Sequence, residues 1–332
     1  MNLDFTGGYY RKGWYAEDTE PSSVGNAIAS QMSICIEVKP DDKSLLKQHG
    51  EIGMMCRASH TACGDARAES WQPARLLHWT CMDPTWATLV LCEAKFGHYG
   101  PDVLYMTLSH RWVPGEEALL QKDNMGRLRQ GLNYDELKAS IQDGLTLSKH
   151  LGYEYLWIDC LCIMQDDAED VARQISQMDK VYSNSVCNIA ASDATNTSEG
   201  CFYEHDIPSV QTYNFRLDGD TSKEARHHVR PTYMDIRGTL VHTALDKRAW
   251  VFQERVLAPR TVHCGRTQLY WECREMTASE TWPQMTPPRN VRVQLFHRNG
   301  IFARSPPSNV WGGIVSNYFN RSLTCSGDSC AH

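Results

Sequence analysis

The sequence predicts an α/β fold, a mostly parallel sheet with helices on both faces and irregular additions at either end. Three observations lead there. Residues 103–108 (VLYMTL), 155–158 (YLWI) and 186–191 (VCNIAA) are short continuous apolar runs, the pattern of strands buried on both sides. Two segments of helical periodicity separate them, so strand, helix, strand, helix, strand follow one another. Further on, residues 262–264 and 268–273 flank Gly265-Arg266 as the arms of a β-hairpin.

Taken in order, residues 1–100 give turn chemistry at Gly7-Gly8, Pro21-Ser22-Ser23 and Pro40-Asp41-Asp42, and a short strand over 33–38. They read as an N-terminal wrapping region. The central unit is expected over 101–275. Its first strand ends in Ser109-His110-Arg111. Asn133 and Glu136 form a capping-box pattern, opening a helix with Leu137, Ile141, Leu145 and Ser148 on one face. Gly152 ends that helix as a C′ glycine. The second strand ends in Asp159, and Asp166-Asp167 start a second helix with Val171, Ile175, Met178 and Tyr182 at helical spacing. Residues 196–247 look loop-rich, with Gly219, Pro231 and the basic patch Arg226-His227-His228. Residues 250–257 read as a helix ending before Pro259. A C-terminal extension, 276–332, carries several prolines and a last helix over 310–319.

Composition excludes several classes. Of 332 residues, 42% are hydrophobic and 22% charged, enough apolar material for a core and too much for a disordered chain. A formal charge of −7 offers no basic field for a phosphate backbone, which argues against nucleic acid. The apolar run 86–92 falls well short of the ~20 residues that span a bilayer, and MNLDFTGGYYRKGW lacks the layout of a signal peptide. A cytoplasmic protein with no membrane partner is expected. The 13 cysteines are odd in number, and Cys92, Cys160, Cys162 and Cys187 sit in apolar runs, so they read as reduced packing thiols.

In open parallel sheets, ligands bind beyond the carboxyl ends of the strands. Those ends carry Ser109, His110, Arg111 and Asp159. The three polar donors at 109–111 point to an anion or carbonyl contact, whereas Asp159 serves equally well in a structural role, as a helix cap or a partner for a nearby arginine, or as a ligand contact. Cys56, His60 and Cys63, with His78, Cys81 and Cys92 downstream, are zinc-ligand types, but their spacing is not that of a standard knuckle and no metal is expected.

Several segments then line up with one family. Residues 105–112 (YMTLSHRW) resemble the YxxLSxxWG opening of the fungal heterokaryon-incompatibility (HET) domain. Residues 151–167 (LGYEYLWIDCLCIMQDD) are very similar to its LGxxYLWIDSLCIIQDD. Residues 178–185, 188–191, 200–202 (GCF), 248–257 (RAWVFQERVL) and 269–273 (LYWEC) follow in the family's order. One departure is local: the glycine expected after Trp112 is Val113, followed by Pro114, which makes a stiffer turn. HET domains resemble TIR domains, so the resemblance implies a TIR-like, flavodoxin-like sheet.

The resemblance implies two activities. Family members generally run on for hundreds of residues beyond this point, so a sequence ending at His332 is expected to be a nearly bare domain. It would be a stand-alone enzyme of fungal secondary metabolism, similar to the short members that act as norbornene-forming Diels–Alderases on diterpenoids. Such a cofactor-independent cyclase would fold a small hydrophobic terpenoid carbonyl substrate, with His110, Arg111 or Gln253 bonding the carbonyl. The alternative is a heterokaryon-incompatibility factor that cleaves NAD as a substrate. Residues 250–254 (WVFQE) resemble the Trp-x-x-x-Glu stretch of NAD-cleaving TIR domains, which casts Glu254 as the residue that steadies the ribose. Ser109, Trp112, Asp159, Trp250 and Arg255 complete the expected substrate contacts, although Glu254 could instead pair with an arginine. A non-catalytic signalling module is a third reading, and homo-oligomerisation is left open.

Overall fold

The computed structural model describes residues 14–16, 71–83, 86–111, 119–203, 213–215, 227–231, 240, 243–274, 277–280 and 321. A short strand, β1 (Trp14–Ala16), precedes a long antiparallel hairpin, β2 (Arg75–Asp83) and β3 (Trp86–Glu93). The central unit then runs β4 (Tyr105–Ser109), α1 (Met125–Gln130), β5 (Leu132–Asn133), α2 (Ala139–His150) and β6 (Tyr155–Trp157). It continues through α3 (Asp159–Cys162), α4 (Ala168–Ile175), α5 (Met178–Ser183) and β7 (Asn188–Ala190). After β8 (Tyr213–Phe215) and β9 (His227–Pro231) come α6 (Ala249–Leu257), β10 (Arg260–Cys264), β11 (Leu269–Cys273) and β12 (Thr277–Ser279).

The described strands form a nine-stranded sheet in the order β12-β11-β10-β7-β4-β6-β2-β3-β5 and a small sheet in the order β1-β9-β8. Within the large sheet β6, β4, β7 and β10 are parallel, and the flanking strands are antiparallel. In chain order that parallel core reads 2-1-3-4, the doubly wound, flavodoxin-like arrangement. Its switch point lies between β4 and β7, where successive crossovers leave in opposite directions.

Strand parity shows how the helices cover both faces. On β4 the side chains of residues 105, 107 and 109 share one face, and those of 106 and 108 the other. Tyr105 donates its hydroxyl to the Val181 carbonyl of α5 at 2.7 Å, and α5 packs against α6. Leu108 points the other way, against α2. A methyl group on Gly144 would stand 3.1 Å from Leu108 Cδ2, so the missing side chain is what lets α2 lie close to the sheet. Met106, Leu108, Ile141, Leu145, Leu156, Trp157 and Ile189 are all essentially solvent-free.

Several expected boundaries shift. Asn133 and Glu136 do bond each other, Nδ2 to Oε1 at 3.1 Å, but they close a 3₁₀ turn over Tyr134–Glu136, and α2 starts only after Lys138. Its end is as read. Gly152 has φ 84°, the Tyr153 amide reaches the Ser148 carbonyl at 2.9 Å, and the Gly152 amide reaches Lys149 at 2.9 Å, a Schellman closure. The single helix expected from Asp166 to Tyr182 is two, α4 and α5, broken at Ser176–Gln177. Asp167 caps α4 by accepting from the Glu169 and Asp170 amides. Val171 and Ile175 are only half-buried, and the buried positions of α4 are the polar Asp170 and Gln174. The loop-rich 196–247 segment contains β8 and β9; His227 and His228 of the basic patch open β9, and Arg226 lies outside the described residues. The strand expected over 33–38, the helix over 310–319 and the Cys56, His60 and Cys63 group lie outside the described residues.

A buried ion pair locks β2 of the N-terminal hairpin to the central unit. Arg75 of β2 reaches Asp170 of α4 through two bonds, at 2.8 and 2.7 Å, and donates to the Cys162 carbonyl at 2.6 Å. Asp170 also accepts from the Met164 amide at 2.9 Å and is bonded by Arg173. Burial alone would raise the Asp170 carboxyl, but the Arg75 guanidinium and the Met164 amide outweigh it and hold it at about 2. Removing one partner strands a buried charge. Arg75→Met is expected to lower unfolding free energy by about 3–5 kcal/mol in urea titrations. Because the unfolded carboxylate titrates near ~3.9, the contribution of the pair is complete above that pH and is lost as pH falls toward about 2.

Candidate active site at the carboxyl ends of the parallel strands

The site grows out of β4. Thr107 and Ser109 face α5 and α6, and both hydroxyls donate to one acceptor, Asn188 Oδ1 of β7, at 2.9 and 3.1 Å. Register explains the meeting, since Thr107 and Asn188 are direct parallel partners and Ser109 lies opposite Ala190. Ser109 also hydrogen-bonds the buried carboxyl of Glu254 in α6, which in turn hydrogen-bonds the Tyr182 hydroxyl of α5. Tyr182 stacks edge-on against Trp157 of β6, ring centroids 5.7 Å apart, so its position is fixed by the sheet. Arg248, one residue before α6, donates to the His110 carbonyl at 2.9 Å and pins the helix start over the end of β4.

Asp159 begins α3 directly after β6 and is only half-buried. One of its carboxylate oxygens accepts the Cys160 amide at 2.8 Å, but the cap read from sequence is not there: Asp159 is the first residue of α3 and Ile158 holds the cap position. His110 is buried, with Nε2 3.8 Å from Cys160 Sγ and Nδ1 making no hydrogen bond among the described residues. A base therefore stands beside Cys160, a residue that its apolar run marked only as a packing thiol. Ligand atoms of His110, Asp159 and Cys160 lie within 4.8 Å of one another and could hold a metal ion. Cys162 is inert by comparison: burial pushes its thiol up to about 12. Cys92, Cys160, Cys162, Cys187, Cys201, Cys264 and Cys273 are buried and form no disulfide among the described residues.

Electrostatics set Glu254 apart. Burial, and then the negative charge of Asp159, raise its carboxyl to about 7, against the opposing pull of the Ser109 hydroxyl, the Arg248 charge and the Tyr182 hydroxyl. Burial likewise lowers His110, with Asp159 opposing and Arg248 reinforcing, so its imidazole is neutral at pH 7. Tyr182 is pushed far up by burial and by the two carboxylates. Two carboxyl groups with different environments, one buried and one partly wet, thus share the mouth of the parallel sheet.

Ser109, His110, Asp159 and Glu254, all expected from sequence, are brought together. Arg111 is half-buried, its carbonyl accepts from Thr197 Oγ1 at 3.4 Å, and its side chain makes no hydrogen bond among the described residues. Gln253 and Trp250 are half-buried on α6, and neither bonds the cluster. Arg255 turns elsewhere. It holds Glu272 through two bonds, at 2.7 and 3.2 Å, and pairs with Asp246 at 3.5 Å. Trp112 lies outside the described residues. Tyr182, Arg248 and Asn188 were not read as site residues. Arg248 sits two positions before Trp250, but Tyr182 looked like core and Asn188 like a strand interior.

Beside the acid cluster, a cleft over β7 and β10 is lined by Ser109, Asn188, Ser192, Thr243, Arg255 and His263, among others. Fold and site together define a doubly wound α/β protein whose polar site sits at the topological switch point, the place where such sheets bind ligands. Residues 105–254 match the family model of Heterokaryon incompatibility protein (HET), which supports the HET family for this segment. The matched span begins with β4 and ends on Glu254. No curated protein and no solved structure matches the chain. Nothing in these comparisons supports the finer similarity to a Diels–Alder cyclase. No described helix is long and apolar enough to cross a membrane.

The raised Glu254 carboxyl has a thermodynamic signature. In the unfolded chain a glutamate ionises near ~4.3, so the folded state holds the proton longer. Stability is then greatest below that value and falls as pH rises toward about 7, by on the order of 3 kcal/mol. Unfolding free energy measured from pH 4 to 8 is expected to show this decline, and Glu254→Gln is expected to flatten it.

Proposed function

We propose that the chain is a HET-family hydrolase that cleaves the nicotinamide–ribose bond of NAD at the mouth of its parallel sheet. The observation that carries this reading is the buried Glu254 carboxyl, held by Ser109 and Tyr182 beside the second carboxylate of Asp159. Breaking the bond between ribose C1′ and the pyridinium nitrogen releases neutral nicotinamide, a leaving group that needs no acid. Positive charge builds on the ribosyl ring, and a desolvated carboxylate next to it stabilises that charge far better than water would. Water then adds at C1′ and loses a proton. The ionised form of Glu254 does this work, and Asp159 adds negative potential from the partly wet side. Tyr182 orients the carboxylate rather than reacting, and Ser109 lies beside it with its proton on Asn188 Oδ1.

A polar mouth of serine, histidine, tyrosine and two acids suits a charged nucleotide better than a flexible terpenoid. The comparisons lend no support to the cyclase expected from the resemblance.

The test is nicotinamide release from NAD by purified, folded protein, followed chromatographically. Release should rise with pH through about 7, as Glu254 ionises. Glu254→Gln should reduce it by about 10²-fold or more, with circular dichroism unchanged. Concentrated, well-folded protein that releases no nicotinamide across pH 6–9 would sink the proposal.

A further inference from the structure

His110, Asp159 and Cys160 form a group whose composition NAD cleavage leaves unexplained. Parallel pairing places Tyr105, Met106 and Thr107 of β4 against Tyr155, Leu156 and Trp157 of β6, an offset of 50 positions. Carried past the two strand ends, the same offset sets His110 beside Cys160, where Nε2 stands 3.8 Å from Sγ. Ligand atoms of all three residues fall within 4.8 Å of one another. From this cluster we infer a zinc-type site, in which a borderline-soft divalent cation is held by one imidazole, one thiolate and one carboxylate.

The ligands select the cation. A sulfur donor favours zinc and comparable ions over magnesium and calcium, which take oxygen. The Cys160 thiolate and the Asp159 carboxylate carry two negative charges and the imidazole none, so a divalent ion leaves the buried group neutral. The ion needs no room beyond the gap already there. With Zn–S near ~2.3 Å and Zn–N near ~2.0 Å at a tetrahedral angle, sulfur and nitrogen lie about 3.6 Å apart. The observed 3.8 Å admits the ion in place of the thiol proton. His110 is also short of partners: Nδ1 makes no hydrogen bond among the described residues, and Nε2 meets a sulfur at long range. His110 and Cys160 are closed to solvent whereas Asp159 is half-buried, so the ion enters past the carboxylate and keeps its fourth position there for water.

The frame is set before the ion arrives. Arg248 holds the His110 carbonyl at 2.9 Å, the Leu120 amide holds the Cys160 carbonyl at 2.8 Å, and the Cys160 amide holds Asp159 at 2.8 Å. A carboxylate that accepts one amide still has acceptor positions for a cation. The thiolate is particular to this chain, because the HET pattern that residues 151–167 resemble has serine at this position. The site shares Asp159 with the NAD reading, but metal binding is measured without NAD, so either can fail while the other stands.

Zinc and cobalt ions alone test the site. Full-length protein, reduced, stripped with a chelator and titrated with Co²⁺, should develop a near-ultraviolet sulfur-to-cobalt band and the strong visible bands of a tetrahedral ion. Zn²⁺ should displace the cobalt and millimolar Mg²⁺ should not. Cys160→Ser, which substitutes the residue of the HET pattern, should bind one zinc ion fewer per chain by elemental analysis and lose part of the near-ultraviolet band, with circular dichroism unchanged. Loss of a supporting partner alone costs about 10–100-fold in metal affinity, so His110→Gln is expected to weaken zinc binding at this site by about 10²-fold or more. Folded wild-type protein that takes up no zinc overturns the proposal, and that measurement needs no variant to fold. So does a Cys160→Ser protein with the zinc content and cobalt spectrum of wild type, or displacement of cobalt by Mg²⁺.

Discussion

Everything in this structure hangs on the satisfaction of β4, a central strand buried on both faces. Polar side chains there must find partners inside the protein or carry a desolvation cost of roughly 1–3 kcal/mol each. Thr107 and Ser109 find theirs in a single atom, Asn188 Oδ1, and that choice fixes the alignment of β4 on β7. A one-residue slip would turn both hydroxyls toward α2 and Leu108 toward the acids. With the register set, the switch point falls where it does, and Glu254, Tyr182 and Ser192 come to one end of the sheet. The polar row along β4 and β7 is thus at once the strut of the fold and the floor of the site.

The fold was legible where one physical signal dominated. Continuous apolar runs marked β4, β6 and β7, and a glycine in the left-handed region ended α2 where expected. The hairpin of β10 and β11 was equally plain. The long hairpin of β2 and β3 was not, although residues 86–92 are among the most apolar in the chain. Its assignment depends on antiparallel pairing with β6, a contact across many residues. The helix break at Ser176–Gln177 was hidden for a related reason. Val171, Ile175, Met178 and Tyr182 keep helical spacing across it, while the force shaping α4 is the bond from Asp170 to Arg75, whose sequence separation is 95.

Site legibility follows the same logic. Ser109, His110 and Asp159 were read as candidates because strand ends in a parallel sheet are where ligands bind, and Glu254 because the WVFQE stretch resembles a known motif; the structure brings the four together. Tyr182 and Asn188 carried no such mark. Both look like interior residues, and only the order β6-β4-β7 shows that their polar atoms meet at one place. Arg255 had the opposite fate. As an exposed-looking arginine beside Glu254 it invited a substrate role, yet the helix turns it away toward Glu272 and Asp246, where Arg321 adds a second guanidinium at 2.9 Å from Asp246.

The bond from Arg248 to the His110 carbonyl spans 138 positions, and it has a temporal meaning. The acid cluster draws one residue from each of β4, α3, α5 and α6, so loops of increasing length must close before it exists. Chain emerging from a ribosome at about 5–20 residues per second would expose β4, β6 and β7 several seconds before α6 arrives. During that interval the sheet can form while its mouth is without Glu254. The acid cluster is therefore complete only once α6 has emerged, after β4, β6 and β7 and before β10 and β11.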